Sequence, residues 1–418
     1  MDALDFIVDR DQHMRPLEYD LSENFNELLR YMQDIGVLGN VPTGVTSESE
    51  IVSISDAYAA PPMALTVDGA STQDGTPTPD VPVPILSVDE LSVQLQNGPN
   101  MLDTSEWEED KYIGESGSIG SENGAHYSSN FSRVMSGTYT FNMHRSSTNN
   151  SRVRLHGYDK NHTWVLQLYT DVINSGTGWY SASVTIPSSV KYVRVSCRST
   201  MTELQLELGS TATAYEPYVG TTVPDLLPDG TSLRSLPDGT KDQLNLAYLR
   251  PSTRDGWAWY SRELVQAVDE ADLGDMTWTA YTISGHQIFR APKIASSNSG
   301  ICTSLVCVTN GASTIADNSI NLLSLYWSTN GHVVARADAY ANAAAFQSGM
   351  TGQKLVYKLA TPVTTQLDPI ELPQLPAPTA TVWCDGGSVQ PTLVLEYVRD
   401  ANAVVAELSE AIADIISG

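Results

Sequence analysis

Between residues 150 and 200 apolar and polar side chains alternate one by one, and a period of two restricts this stretch to half-buried β-strands. Val153, Leu155 and Gly157 alternate with Arg152, Arg154 and His156 before a turn at Tyr158-Asp159-Lys160-Asn161-His162. Trp164, Leu166 and Leu168 then alternate with Val165, Gln167 and Tyr169. Tyr192, Arg194 and Ser196 alternate with Val193, Val195 and Cys197. Successive side chains of a strand point to opposite faces, so each run offers one face to a core and keeps the other for something else. Turn residues recur about every 8–12 residues, the rhythm of an antiparallel sandwich.

The same signature continues downstream. WAWYS (257–261), MTWTAYTI (276–283), GICTSLVCV (300–308), NLLSLYW (321–327), GHVVARA (331–337) and KLVYKLA (354–360) read as strands of a second sandwich, followed by ATVWCDG and PTLVLEYVR. Within this block the acidic ELVQAVDEADLGD reads as a helical turn. In GTPTPDVPVP (75–84) alternating prolines remove ladder donors and favour extended backbone, so this segment is expected to lie along other β structure. Pro-Asp-Gly-Thr occurs at 228–231 and again at 237–240, where Pro and Asp suit a type I turn and Gly supplies the positive φ after it.

Helical spacing is confined to the ends. Over 20–35, Asp20 can cap, Glu23 completes a capping box and Gly36 can stop the helix. Phe25, Leu28, Leu29, Met32 and Ile35 form its apolar face, which needs a partner. From Asp400 onward, Val398, Val405 and Ile412 fall at one heptad position and Ala401, Leu408 and Ile415 at the other. Isoleucine at both seam positions favours three or more strands, so Val405, Leu408, Ile412 and Ile415 are candidate trimer contacts. The seam is too short to be stable alone.

Four segments carry a resemblance. NGPNML at 97–102, QLELGSTATAYEPY at 205–218, VDGASTQDGTPTPDVPVPI at 67–85 and KLVYKLATPVTTQLDPIEL at 354–372 resemble tail fibre, baseplate or minor structural proteins of phages and prophages of Gram-positive hosts. The 97–220 region is similar to their jelly-roll carbohydrate-binding-like module. The resemblance implies a mainly β homotrimer of jelly-roll or β-sandwich modules, with an N-terminal helix and a short C-terminal coiled-coil helix. Its parts would be a helical virion-attachment segment at 1–40, an extended Pro/Gly-rich β segment at 41–96, the jelly-roll module at 97–220 and a hairpin connector at 221–245. A second sandwich at 246–372, C-terminal strands at 373–399 and a trimerising helix at 400–418 would follow. Function would be receptor binding, with other tail proteins and host surface polysaccharide as partners and the virion as location. The alternative is a purely structural spacer or adaptor.

Charge narrows the partners. With 49 acidic residues against 23 basic ones the formal net charge is −26, which repels nucleic-acid phosphates and anionic membranes. No stretch of about 20 apolar residues offers a span. The four cysteines, Cys197, Cys302, Cys307 and Cys384, include one C-x4-C pair without a second ligand pair, so they read as buried thiols and not as a zinc site. No hydrolase, metalloprotease, phosphate-loop or dinucleotide motif occurs, so the reading is a non-enzyme without cofactor or metal. His156 and His162 flank a turn without metal-ligand spacing.

The aromatic residues carry the binding argument. Sugars present C–H faces that stack on flat rings, and their hydroxyls bond polar side chains. The central module offers Trp107, Tyr112, Tyr127, Tyr158, Trp164, Tyr169, Trp179 and Tyr180. Arg154, His156 and Tyr158 share one strand face opposite Val153 and Leu155, with Trp164 beyond the turn. These four are the candidate glycan-binding residues.

Overall fold

The computed structural model describes residues 43–399 except 46–47, 55–57, 105–106, 129, 148–150, 174–175, 199–200, 295–298, 309–314, 316–319, 326–331 and 375–379. The helix expected over 20–35, with Phe25, Leu28, Leu29, Met32 and Ile35, lies outside the described residues. So does the helix expected over 400–418, with Val405, Leu408, Ile412 and Ile415. What is described is mainly β, with one short α-helix, Ala343–Gly349.

Strands from both ends of the chain build a frame of two sheets. One runs in the order Thr43–Val45, Thr392–Arg399, Tyr58–Asp68, Gln243–Pro251, Trp257–Asp272, Lys354–Pro373, Gly300–Cys302. The other runs Val219–Val223, Ser92–Asn97, Ala380–Asp385, Ile51–Ile54. Neighbours in both sheets are antiparallel. Leu65, Val67, Leu244, Leu246, Leu393 and Leu395 of the first share a buried core with Val52, Ile54, Val93, Leu95 and Val382 of the second.

Two units are inserted where frame strands lie side by side. Residues 98–218 leave and re-enter between Ser92–Asn97 and Val219–Val223, with Asn97 opposite Val219. Residues 273–353, which return Gly300–Cys302 to the edge of the frame, do so between Trp257–Asp272 and Lys354–Pro373, which pair from Trp257 opposite Pro373 to Asp272 opposite Lys354. Adjacent ends let an insert be carried without disturbing the register that carries it.

Pairing therefore divides what local alternation groups together. Of the strands expected to form one sandwich at 246–372, three belong to the frame. Thr279–Ile283, His286–Lys293, His332–Arg336, Leu322–Ser324 and Val306–Cys307 make a separate sheet, over a core that includes Phe289, Leu323, Val333 and Phe346. The acidic ELVQAVDEADLGD is strand as far as Asp272 and only then a 3-10 turn, Leu273–Asp275. The ladder with Lys354–Pro373, joined over Glu263–Val265 by the one with Gln243–Pro251, overrides its local preference. A bulge between Gln266 and Val268 turns two backbone N–H groups, of Ala267 and Val268, onto the fully buried Asp242 carboxylate at 2.8 and 2.9 Å. The Pro-rich segment lies along other β structure, with Val83 donating to the Thr303 carbonyl at 2.7 Å. In the repeated Pro-Asp-Gly-Thr turns Gly230 and Gly239 have φ of +74° and +85°.

The first insert is a two-sheet antiparallel sandwich. One sheet has the order Gly178–Ile186, Gly137–Arg145, Met201–Leu208. The other has the order Trp164–Ile173, Ser151–Tyr158, Tyr192–Arg198, Ile119–Ser128, Trp107–Ile113. Tyr139, Phe141, Met143, Val184, Ile186, Leu204 and Leu206 meet Val153, Leu155, Val193, Val195 and Cys197 between them. Both ends of the insert are tied down by side chains of the quoted motifs. Asn100 bonds the Leu204 and Glu216 carbonyls and the Leu102 and Leu206 N–H groups, while buried Gln205 and Glu207 hold Thr213 and the Glu216 N–H. Glu50 of the frame bonds Arg133 at 2.7 Å and Lys191 at 2.8 Å, anchoring the insert.

Candidate functional site

Alternation sorts the strand Ser151–Tyr158 as expected, with Val153 and Leu155 in the core. Arg154, His156 and Tyr158 face the other way, yet they are only 7%, 0% and 5% exposed. This corrects the expectation of an open polar face. The cause is the strand Trp107–Ile113, whose end crosses that face. Ile113 N–H donates to Ser196 Oγ at 3.1 Å, and Arg154 Nη1 donates to the Ile113 carbonyl at 3.2 Å. The following turn closes with Gly114 N–H on Ser118 O at 2.7 Å and Gly117 N–H on Gly114 O at 3.0 Å. Gly117 has φ +79°, and a Cβ there would sit 2.3 Å from Trp164 Cγ, so only glycine lets the turn lie on the indole.

Three of the four candidates, Arg154, His156 and Trp164, are brought together at this cover. Trp164 Nε1–H donates to His156 Nδ1 at 3.3 Å. Burial and then the neighbouring Arg154 charge push the His156 pKa down to about 4, against an opposite pull from the Ile113 carbonyl and with a smaller push from Arg194. Its Nε2 nevertheless has no hydrogen-bond partner among the described residues, and neither has Arg154 Nε. Burial and then Arg152 lower the Arg154 pKa, while Glu115, 3.5 Å from Nη2, opposes them.

Tyr158 belongs to a stack of rings and cations instead of a sugar platform. Phe131 meets it edge-on at 5.0 Å and lies parallel to His162 at 3.9 Å. His162 is edge-on to Tyr192 at 4.5 Å. Arg194 stands 4.9 Å over Phe131, and Arg133 stands 5.1 Å from the Tyr192 ring. Burial raises the Tyr158 pKa and lowers those of Arg194 and His162. Cation–π attraction and ring packing hold this edge of the sheet. His162, at the turn expected from sequence, has φ +58°.

An accessible aromatic surface lies on the opposite sheet, where no site was expected. The strand Gly178–Ile186 sends Tyr180, Ala182, Val184 and Ile186 inward, and Trp179 outward with Ser181, Ser183 and Thr185. Trp179 is 49% exposed. Its ring lies 5.0 Å from that of His144 and 5.8 Å from that of Tyr215. His144 Nδ1 is 3.0 Å from Thr202 Oγ1 and 3.2 Å from Glu203 Oε2. Nearby, Ser181 Oγ–H donates to Asn142 Oδ1 at 2.6 Å, and Asn142 Nδ2 donates to Glu207 Oε1 at 2.7 Å. A flat exposed indole ringed by hydrogen-bonding groups can stack a sugar and bond its hydroxyls. The available signal was a tryptophan at a polar-face position of an alternating strand.

The thiols offer no reactive nucleophile: burial pushes Cys197 up to about 12 and raises Cys302, Cys307 and Cys384 as well. Among the described residues no three His, Cys, Asp or Glu side chains are grouped to hold a metal ion. Among the described residues no helix is long and apolar enough to cross a membrane.

No family model and no curated protein matches the chain. The type IV competence pilus secretin PilQ of V. cholerae aligns at 8% identity over 94% of this chain and 88% of that one, with a TM-score of 0.08. A likeness that low carries no argument.

Proposed function

We propose that this chain is a component of a phage tail fibre or baseplate that recognises host-surface polysaccharide through its 98–218 sandwich. The observation that carries the sugar-binding reading is the exposed Trp179 ring beside His144, Tyr215, Thr202 and Glu203. The virion setting rests on the resemblance of the four quoted segments. So does the jelly-roll topology, whereas the homotrimer rests on the heptad pattern of 400–418 and attachment by 1–40 on the apolar face over 20–35. Three modest sites on one trimer raise avidity without a strong single site. The insert's hold on the frame through Glu50 supports a module presented in a defined orientation.

The test is a glycan array on the full chain and its Trp179→Ala variant, followed by titration calorimetry on any hit. Loss of one stacked ring, about 1–2 kcal/mol, predicts a 5- to 30-fold weaker complex. A chain that binds no glycan, or a variant that binds as well as the parent, would leave the spacer as the better reading.

A further inference from the structure

Beneath the 114–118 turn the strand Ser151–Tyr158 presents two buried N–H groups without a full acceptor among the described residues. An indole N–H can only donate, so His156 Nδ1 is the acceptor of the Trp164 bond and the neutral ring carries its proton on Nε2. The His156 Nε2–H faces the Ile113 carbonyl without reaching hydrogen-bond geometry, and the Arg154 Nε–H lies buried without a partner among the described residues. Their residues are fully buried and 7% exposed. Each unmet donor costs about 1–3 kcal/mol in the closed state.

Arg154 also shows where an acceptor belongs. Nε and Nη2 form one edge of a guanidinium, and that edge takes the two oxygens of a carboxylate or phosphate in parallel. Glu115 stands at this edge without closing on it. Its Oε1 is 3.5 Å from Nη2, its side chain is 80% exposed, and Nε is left unmet. The turn that carries Glu115 rests on Trp164 through Gly117, so lifting it uncovers an indole face beside the two donors.

We infer that the Arg154 Nε/Nη2 edge and His156 Nε2–H form an oxyanion site for the carboxylate or phosphate of an acidic saccharide, and that Glu115 is the internal acid the ligand displaces. The saccharide ring then stacks on Trp164 while its acidic group meets the buried donors. This removes the penalty the closed state carries. The chain's overall negative charge is no bar, because repulsion from distant carboxylates is screened within about 8–10 Å at ordinary salt. The inference rests on the glycan reading for the saccharide part alone, and the oxyanion contact stands on the two donors.

The probes are inorganic phosphate, glucuronic acid and glucose at millimolar concentration, added to the full chain. Binding is read by calorimetry and by the Trp164 indole N–H resonance. Phosphate, glucuronic acid or both should move that resonance, and glucose should not. Phosphate alone would assign a phosphodiester polymer, glucuronic acid alone a uronic-acid polymer. Glu115→Gln removes the competing acid at an exposed position and should tighten binding about 5-fold. Arg154→Lys keeps the charge but loses the fork and should weaken binding about 10-fold. An unmoved Trp164 resonance in Glu115→Gln would overturn the inference and assign the donors to buried water. Equal binding by Arg154→Lys would overturn it too. Trp179→Ala separates the two readings, because it should weaken array binding about 5- to 30-fold and leave the phosphate response intact. A phosphate response with a blank array would sink the glycan reading alone.

Discussion

His156 makes a prediction whose size follows from its surroundings. An ordinary histidine titrates near 6.5, whereas burial and the adjacent arginine charges hold this one near 4 in the folded chain. As pH falls below 6.5 the unfolded chain takes up a proton that the folded chain refuses. Stability from this residue is therefore complete above pH 6.5 and is lost as pH falls toward 4. At about 1.4 kcal/mol per pH unit the loss approaches 3 kcal/mol. Denaturant unfolding at pH 7 and pH 4.5 measures it, compared with His156→Asn, whose amide oxygen can still accept from Trp164. The 49 acidic residues titrate in both proteins, so the difference between them isolates the ring. The parent should lose about 2–3 kcal/mol more than the variant over this range. A ring that titrates near 6.5 by NMR, or equal pH dependence in the two proteins, would refute the burial argument.

Two further perturbations test how the units are joined. Asp242 accepts from the N–H groups of Arg234, Ala267 and Val268, so Asp242→Ala should destabilise the frame by about 3–5 kcal/mol in denaturant unfolding; a loss under about 1 kcal/mol would mean that water replaces the carboxylate. Burial pushes the Glu50 pKa up, but Lys191 and Arg133 outweigh it and hold it below the ordinary carboxylate value. Glu50→Ala leaves Arg133, 2% exposed, without that partner and should cost about 1–3 kcal/mol. Limited proteolysis should then cut near 98 and 218 sooner, and an unchanged cleavage rate would show that the shared core with Ile51 and Trp383 suffices.

Local chemistry was legible because covalent geometry sets it. The period of a strand places Val153 and Leu155 inward and Arg154, His156 and Tyr158 outward, whatever the rest of the chain does. Pro-Asp-Gly-Thr needs a positive φ at its glycine, and Gly230 and Gly239 supply it. The prolines of 75–84 forbid a central strand. Trp179 carries the same kind of signal, a large ring at a polar-face position, although no site was expected there.

Which outward face stays open is a different matter, decided by segments far away in the chain. Arg154 and His156 are outward yet closed, because Ile113 bonds Ser196 and Arg154 across the sheet. The frame joins Ser92–Asn97 to Ala380–Asp385, and the grouping 246–372 dissolves for the same reason. An alternating strand is equally satisfied by any neighbour that buries its apolar side, so its own residues do not name the partner. The partner is settled by the total apolar surface that all strands bury at once. Sequence alone determined that this chain makes strands and which side of each is apolar. Only the tertiary structure decided which strands are neighbours, that the Arg154 face is covered, and that Trp179 is not.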